Sequence, residues 1–172
     1  MTATESDGTE APTEDVRVPH ARRFDHVGLS VPDLDEAVAF FVEGFGAEVV
    51  FRMERPATRE PVGADRLGAD ARAQFALAML ALGGGRLELL QWWSPRAPGD
   101  IPPVDCLGGT HVAIEVADVA EALSRLSQVE GVSILSDALT FTEGPTPGLT
   151  NAFARAPFGA LLELVSWGWP DV

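Results

Sequence analysis

At 172 residues, 46% of them apolar, the chain is long enough for one compact domain or for two small halves that share a core. Its formal charge of -14 sets nucleic acid and anionic membranes aside as partners, and all twelve basic residues are Arg, which removes lysine Schiff-base chemistry. The single cysteine, Cys106, allows neither an intrachain disulfide framework nor a Cys-rich zinc site, and it is expected as a small apolar residue.

No apolar run reaches the ~18 residues of a membrane span, and no basic, apolar signal opens the chain, so a cytoplasmic protein is expected. Residues 1–21 are expected as a disordered acidic tail. Met1 to Val16 holds five acids and no base, without periodicity, and cannot bury enough apolar surface to offset its ordering entropy. His20 belongs to this lead-in and is expected at the surface.

The first module spans 22–93. Phe24–Val31 alternates as a strand does, with Val27, Leu29 and Val31 on one face and Phe24, His26, Gly28 and Ser30 on the other. Pro32 closes it, and Asp33 caps a helix with Glu36 as capping-box partner. Leu34, Ala37, Val38 and Phe41 recur at helical spacing, and Gly44 and Gly46 end the helix. Ala47–Met53 reads as a second strand, Glu54–Arg72 as a loop bordering the site, and Ala73–Leu82 as a third strand. After the reversal at Gly83-Gly84-Gly85, Arg86–Trp93 forms the fourth, with Arg86, Glu88, Leu90 and Trp92 on the face away from the helix.

Residues 94–108, with four prolines, make a linker, and 109–169 repeat the order. Gly109–Val116 is a strand with His111, Ala113 and Glu115 on one face, and Asp118 caps a helix to about Val129. Short strands are expected near Val132–Leu135 and Leu139–Thr142. Asn151–Ala156 and Ala160–Trp167 finish the half. The Gly/Pro-rich loop Thr140–Thr150 is a candidate to close over a site.

The two halves are copies. A shift of 85 lays Asp25–Phe41 on Thr110–Leu126, placing His26 on His111 and Asp33 on Asp118. A shift of 75 lays Gly84–Trp92 on Gly159–Trp167, placing Glu88 on Glu163 and Trp92 on Trp167. The fold expected is α+β, two tandem βαβββ modules forming a curled mixed sheet around a metal cleft.

Strand alternation puts His26, Glu88, His111 and Glu163 on the faces away from the helices. Two imidazoles and two carboxylates suit a divalent first-row ion (Fe2+, Ni2+, Co2+, Zn2+ or Mn2+), with positions left open for a chelating substrate. A buried carboxylate without a partner is rare, so a Glu inside an LEL strand in each half asks for one. Phe24, Trp92, Phe153 and Trp167 give the cleft an apolar lining that suits a hydrophobic or aromatic small molecule, and Arg155 could fix an anion on it.

The stretches FDHVGLSVPDLDEAVAFF, GTHVAIEVADVAEAL and FGALLELVSW resemble the vicinal oxygen chelate superfamily, which holds glyoxalase I, methylmalonyl-CoA epimerase, extradiol dioxygenases and bleomycin-resistance proteins. The resemblance runs from about Phe24 to Trp169 and is closest in ligand pattern to the glyoxalase I-like lyases. It implies one metal ligated by His26, Glu88, His111 and Glu163, and a homodimer. It also implies a metal-dependent lyase or isomerase that moves a proton beside a chelated carbonyl, with Glu163 as first candidate for the base and Glu88 as second. Two other readings stand beside it: a non-haem iron dioxygenase using His26, His111 and Glu163, and a metal-free small-molecule binding protein.

Overall fold

The computed structural model describes residues 23–55, 64–95, 99 and 101–167. The expected tail with His20 lies outside the described residues. The first module consists of β1 (Val27–Val31), α1 (Leu34–Phe45), β2 (Glu48–Met53), a 3-10 turn (Ala64–Leu67), β3 (Gln74–Leu82) and β4 (Gly85–Trp93). The second consists of β5 (His111–Glu115), α2 (Val119–Leu126), β6 (Ser133–Ile134), β7 (Leu139–Thr140), β8 (Thr150–Arg155) and β9 (Leu161–Ser166).

The α+β fold with two βαβββ-like modules is as expected, and its strands make two mixed sheets. Their orders are β1-β4-β3-β2 and β5-β9-β8-β6, with β7 also paired to β8. In each module the helical crossover lays the opening strand parallel to the closing one, while the strands between run antiparallel. Gly28 therefore lies beside Glu88, and Ala113 beside Glu163.

Both helices start as the sequence dictates. Asp33 and Asp118 hold extended backbone, and each carboxylate accepts the N–H three residues on, from Glu36 and from Glu121, at 2.9 Å. Gln91 of β4 ties α1 to its sheet, accepting from Leu34 N–H (3.2 Å) and donating to the Pro32 carbonyl (3.0 Å). Gly46 ends α1 at φ 69°, left-handed backbone that favours glycine. Asp33→Ala should lower unfolding free energy by about 1 kcal/mol. Chemical denaturation would show this as a lower midpoint at constant slope; an unchanged midpoint would mean that Gln91 suffices to start the helix.

One core serves both modules. Val31, Leu87 and Leu89 of the first sheet and Ile114, Leu162 and Leu164 of the second are buried in a single cluster with the inner faces of α1 and α2. The Phe40 and Phe41 rings lie 5.5 and 5.9 Å from that of Phe158, in the β8–β9 turn, so α1 is packed against the far module.

Two expectations are corrected. The stretch 54–72 is not only a loop: its 3-10 turn brings Ala64 over the outer face of the first sheet, where it forms a second cluster with Ala73, Phe75, Leu77 and Leu90. Cys106 is exposed in the linker, not packed as an apolar residue, because its N–H closes a tight turn on the Pro103 carbonyl (2.9 Å). That turn continues to Gly109, where a Cβ would lie 2.3 Å from Pro103 O, so only glycine fits two residues before His111. Among the described residues no helix is long and apolar enough to cross a membrane.

Candidate functional site

The parallel pairing of first and last strands determines which side chains meet. His26 sits one residue ahead of β1, and its Nε2 lies 3.7 Å from Glu88 Oε2. His111 opens β5, and its Nε2 lies 3.1 Å from Glu163 Oε2. The imidazoles are exposed, whereas the carboxylates are half-buried, at 21% for Glu88 and 15% for Glu163. The four residues thus come together two by two, one imidazole and one carboxylate in each module. Among the described residues no group of three or more His, Cys, Asp and Glu side chains is placed to hold a metal.

The donor chemistry fits a first-row ion. Two ligands at about 2.1 Å from one metal stand about 3.0–3.4 Å apart across an octahedral or tetrahedral angle; the 3.1 Å of the His111–Glu163 pair falls in that range, and the 3.7 Å of the His26–Glu88 pair lies beyond it. Each pair supplies only half of a four-ligand set. A complete set needs both modules.

Neighbours complete the two pairs differently. In the first module Asp25 Oδ1 lies 3.0 Å from His26 Nδ1, an arrangement in which Nδ1–H donates and Nε2 keeps its lone pair toward Glu88. That hydrogen bond, with Arg23 and Arg86 nearby, holds the Asp25 carboxyl below its usual range. In the second module the support falls on the carboxylate: Asn151 Nδ2 donates to Glu163 Oε1 at 2.8 Å. The His111 ring has Phe153 edge-on, with centroids 6.3 Å apart.

The remaining predicted residues separate. Phe153 lies beside Glu163 in the β8–β9 register, and Trp167 follows β9 half-buried, four residues past Glu163. Trp92 is taken into the structure: its indole N–H donates to Ser30 Oγ (3.1 Å), and its ring lies 4.9 Å from Phe75 on the second cluster. Arg155 donates to the Gly159 carbonyl of its own turn (3.0 Å). Phe24, 81% exposed, lines a groove of about 760 Å³ with Val27, Phe45, Leu87 and Ile114, which none of the four His and Glu residues lines. The Thr140–Thr150 loop is pinned across its base, by Phe141 N–H on the Leu149 carbonyl and by a 2.8 Å bond between the two threonine hydroxyls.

Sequence reasoning missed Asn151 and Asp25. Asp25 directly precedes the motif histidine and could have been found there. Asn151 could not, because its partner lies across a strand pair whose register only the folded sheet supplies.

Three comparisons bear on this geometry. A family model described as the Glyoxalase/Bleomycin resistance protein/Dioxygenase superfamily matches residues 23–164. A 2-epi-5-epi-valiolone epimerase from Actinomyces sp is 38% identical over 150 residues, covering 87% of this chain and 81% of that protein. A glyoxalase family protein from Bacillus cereus superposes with a TM-score of 0.69 at 24% identity, over 87% of this chain and 98% of that one. Glyoxalase I from Zea mays gives 0.56 at 20% identity, over 87% of this chain and 46% of its own. At such identities the two solved structures bear on the fold alone.

Proposed function

Because the chain belongs to the Glyoxalase/Bleomycin resistance protein/Dioxygenase superfamily, we propose that it is a metal-dependent epimerase, inverting one carbon beside the carbonyl of a small, sugar-like ketone. The observation that carries this reading is the 38% identity to 2-epi-5-epi-valiolone epimerase over most of both chains. The site supports it with two carboxylates, Glu88 and Glu163, each beside an imidazole on the face away from its helix. A sugar-like ketone replaces the aromatic substrate suggested by the apolar residues, since Trp92 is engaged with Ser30 and Phe75.

His26, Glu88, His111 and Glu163 would hold the ion. On this reading the complete set lies between two copies in a homodimer, His26 and Glu88 from one and the His111–Glu163 pair from the other, which the separation of the pairs within one chain supports. The chemistry such an ion supplies is Lewis-acid stabilisation of the negative charge that develops on the ketone oxygen as the neighbouring carbon loses its proton. Moving the proton itself falls to the carboxylates, the groups of the site that can take it from carbon and return it. On this reading Phe153, beside Glu163, and Trp167, just after β9, contact the substrate, orient it and exclude water.

The test is incubation of metal-loaded protein with 2-epi-5-epi-valiolone in deuterated water, followed by NMR. An epimer carrying one deuteron at the inverted carbon is expected. No epimer and no deuterium with Fe2+, Co2+, Ni2+, Mn2+ or Zn2+ would sink the reading. Oxygen uptake by the ferrous protein would move it to the dioxygenases. Ligand binding unchanged by chelation, without turnover, would move it to the binding proteins.

A further inference from the structure

The two imidazole–carboxylate pairs occupy matched places, yet their carboxylates are held differently. Glu163 Oε1 receives the Asn151 amide at 2.8 Å, while its Oε2 faces His111 Nε2 at 3.1 Å. Each oxygen therefore has its own neighbour, and the carboxylate plane is held between β8 and β5.

The register shows what stands in the same place in the first module. Phe153 is opposite Glu163 in the second sheet, and Met79 is opposite Glu88 in the first. Two residues earlier on each strand come Asn151 and Leu77. Leu77 is buried in the second cluster beneath the 3-10 turn and offers no hydrogen bond. Among the described residues, the charged neighbour of the Glu88 carboxylate is His26, at 3.7 Å. Glu163 has a neighbour on each carboxylate oxygen, whereas Glu88 has one on Oε2.

We propose that Asn151 is a positioning residue. It locks Glu163 Oε1 so that Oε2 alone faces His111 and the ion, and it thereby separates the roles of the two otherwise equivalent carboxylates. The lock rests on the reading of Glu163 as a ligand in the proposed function. Its physical basis is general: a hydrogen bond to the outer oxygen of a ligating carboxylate removes the rotation that would otherwise oppose metal binding. A neutral amide suits this task, because it donates to the carboxylate without adding a charge that would compete with the ion.

The experiment compares wild type with Asn151→Leu, which puts in this module the residue type the other carries, and Asn151→Gln, which keeps an amide donor. Apo protein is titrated with Co2+ and followed by visible absorption, which reports the ligand field. Thermal melting of the apo forms controls for folding, and turnover of 2-epi-5-epi-valiolone is read separately. Asn151→Leu is expected to weaken Co2+ binding about 10–100-fold and to alter its spectrum, with little change in apo melting. It should also lower kcat more than it raises KM, and Asn151→Gln should recover most of both losses.

Wild-type affinity and spectrum in Asn151→Leu would overturn the inference while leaving the epimerase reading intact. Should Asn151→Leu fail to fold, Asn151→Ala is read by the same criteria. A wild type that binds Co2+ but leaves the ketone unchanged would sink the epimerase reading, and the affinities would still decide for or against the lock. No Co2+ uptake by wild type would overturn the lock as well.

Discussion

Replacing either histidine alone, His26→Ala or His111→Ala, is expected to remove all of the bound divalent metal, not half of it. The pairs stand apart within the described chain, and each contributes one nitrogen and one carboxylate at 3.7 or 3.1 Å. Either substitution leaves one carboxylate without its imidazole, so a site that shares both pairs weakens as a whole, below what survives purification without added metal. Metal analysis of protein purified without added metal should give about one ion per chain in the wild type, and none in either variant or in the double variant. Half occupancy in the single variants would instead mean that each pair holds its own ion, and the shared site would be abandoned.

Mixing the two single variants adds a sharper test. A dimer of one His26→Ala chain with one His111→Ala chain keeps one intact set, made from the unaltered first module of one copy and the unaltered second module of the other. Random re-association after mild unfolding should therefore restore about a quarter of the metal and of the turnover, since half the dimers are mixed and each has one good site of two. No recovery would place both pairs of a working site within one chain.

A second large effect is expected in the core. Phe41→Ala should destabilise the protein by about 3–5 kcal/mol, the usual cost of deleting a fully buried aromatic ring. Phe41 has no solvent exposure, and its ring lies within 5.4–6.1 Å of those of Phe40, Phe45 and Phe158. Phe158 belongs to the other module, so the variant loosens the contact between halves as well as the seat of α1. Urea denaturation read by far-UV circular dichroism and by tryptophan fluorescence should give one coincident transition, in wild type and variant alike, at a lower midpoint in the variant. Two separate transitions in the wild type would mean that the modules fold independently and that the shared core is not what couples them.

Much of the molecule follows from local chemistry. The Asp-x-x-Glu starts at Asp33 and Asp118 specify both helix beginnings, because a carboxylate three residues ahead of a free N–H satisfies it whatever lies elsewhere. Period-two alternation put His26 with Glu88 and His111 with Glu163 on matched faces, since side-chain direction in a strand is a property of the backbone. The repeat made the two halves equivalent, and the structure bears this out in βαβββ-like modules that each pair the opening strand with the closing one, the second sheet carrying one extra short strand.

What tertiary structure decided lies between residues remote in sequence. Trp92 is aligned with Trp167 by the repeat, but it became part of a core cluster because the 3-10 turn at Ala64–Leu67 covers the first module's sheet. The counterparts of buried Leu77, Met79 and Leu90 in the other module are Asn151, Phe153 and Val165, all half-buried. Likewise, no periodicity shows that Asn151 reaches Glu163, or that Phe40 and Phe41 meet Phe158 across the modules. Alternation and capping act through the chain's own backbone, whereas these contacts depend on how the sheets and covering segments pack, which burial and sterics settle only once the whole chain is folded.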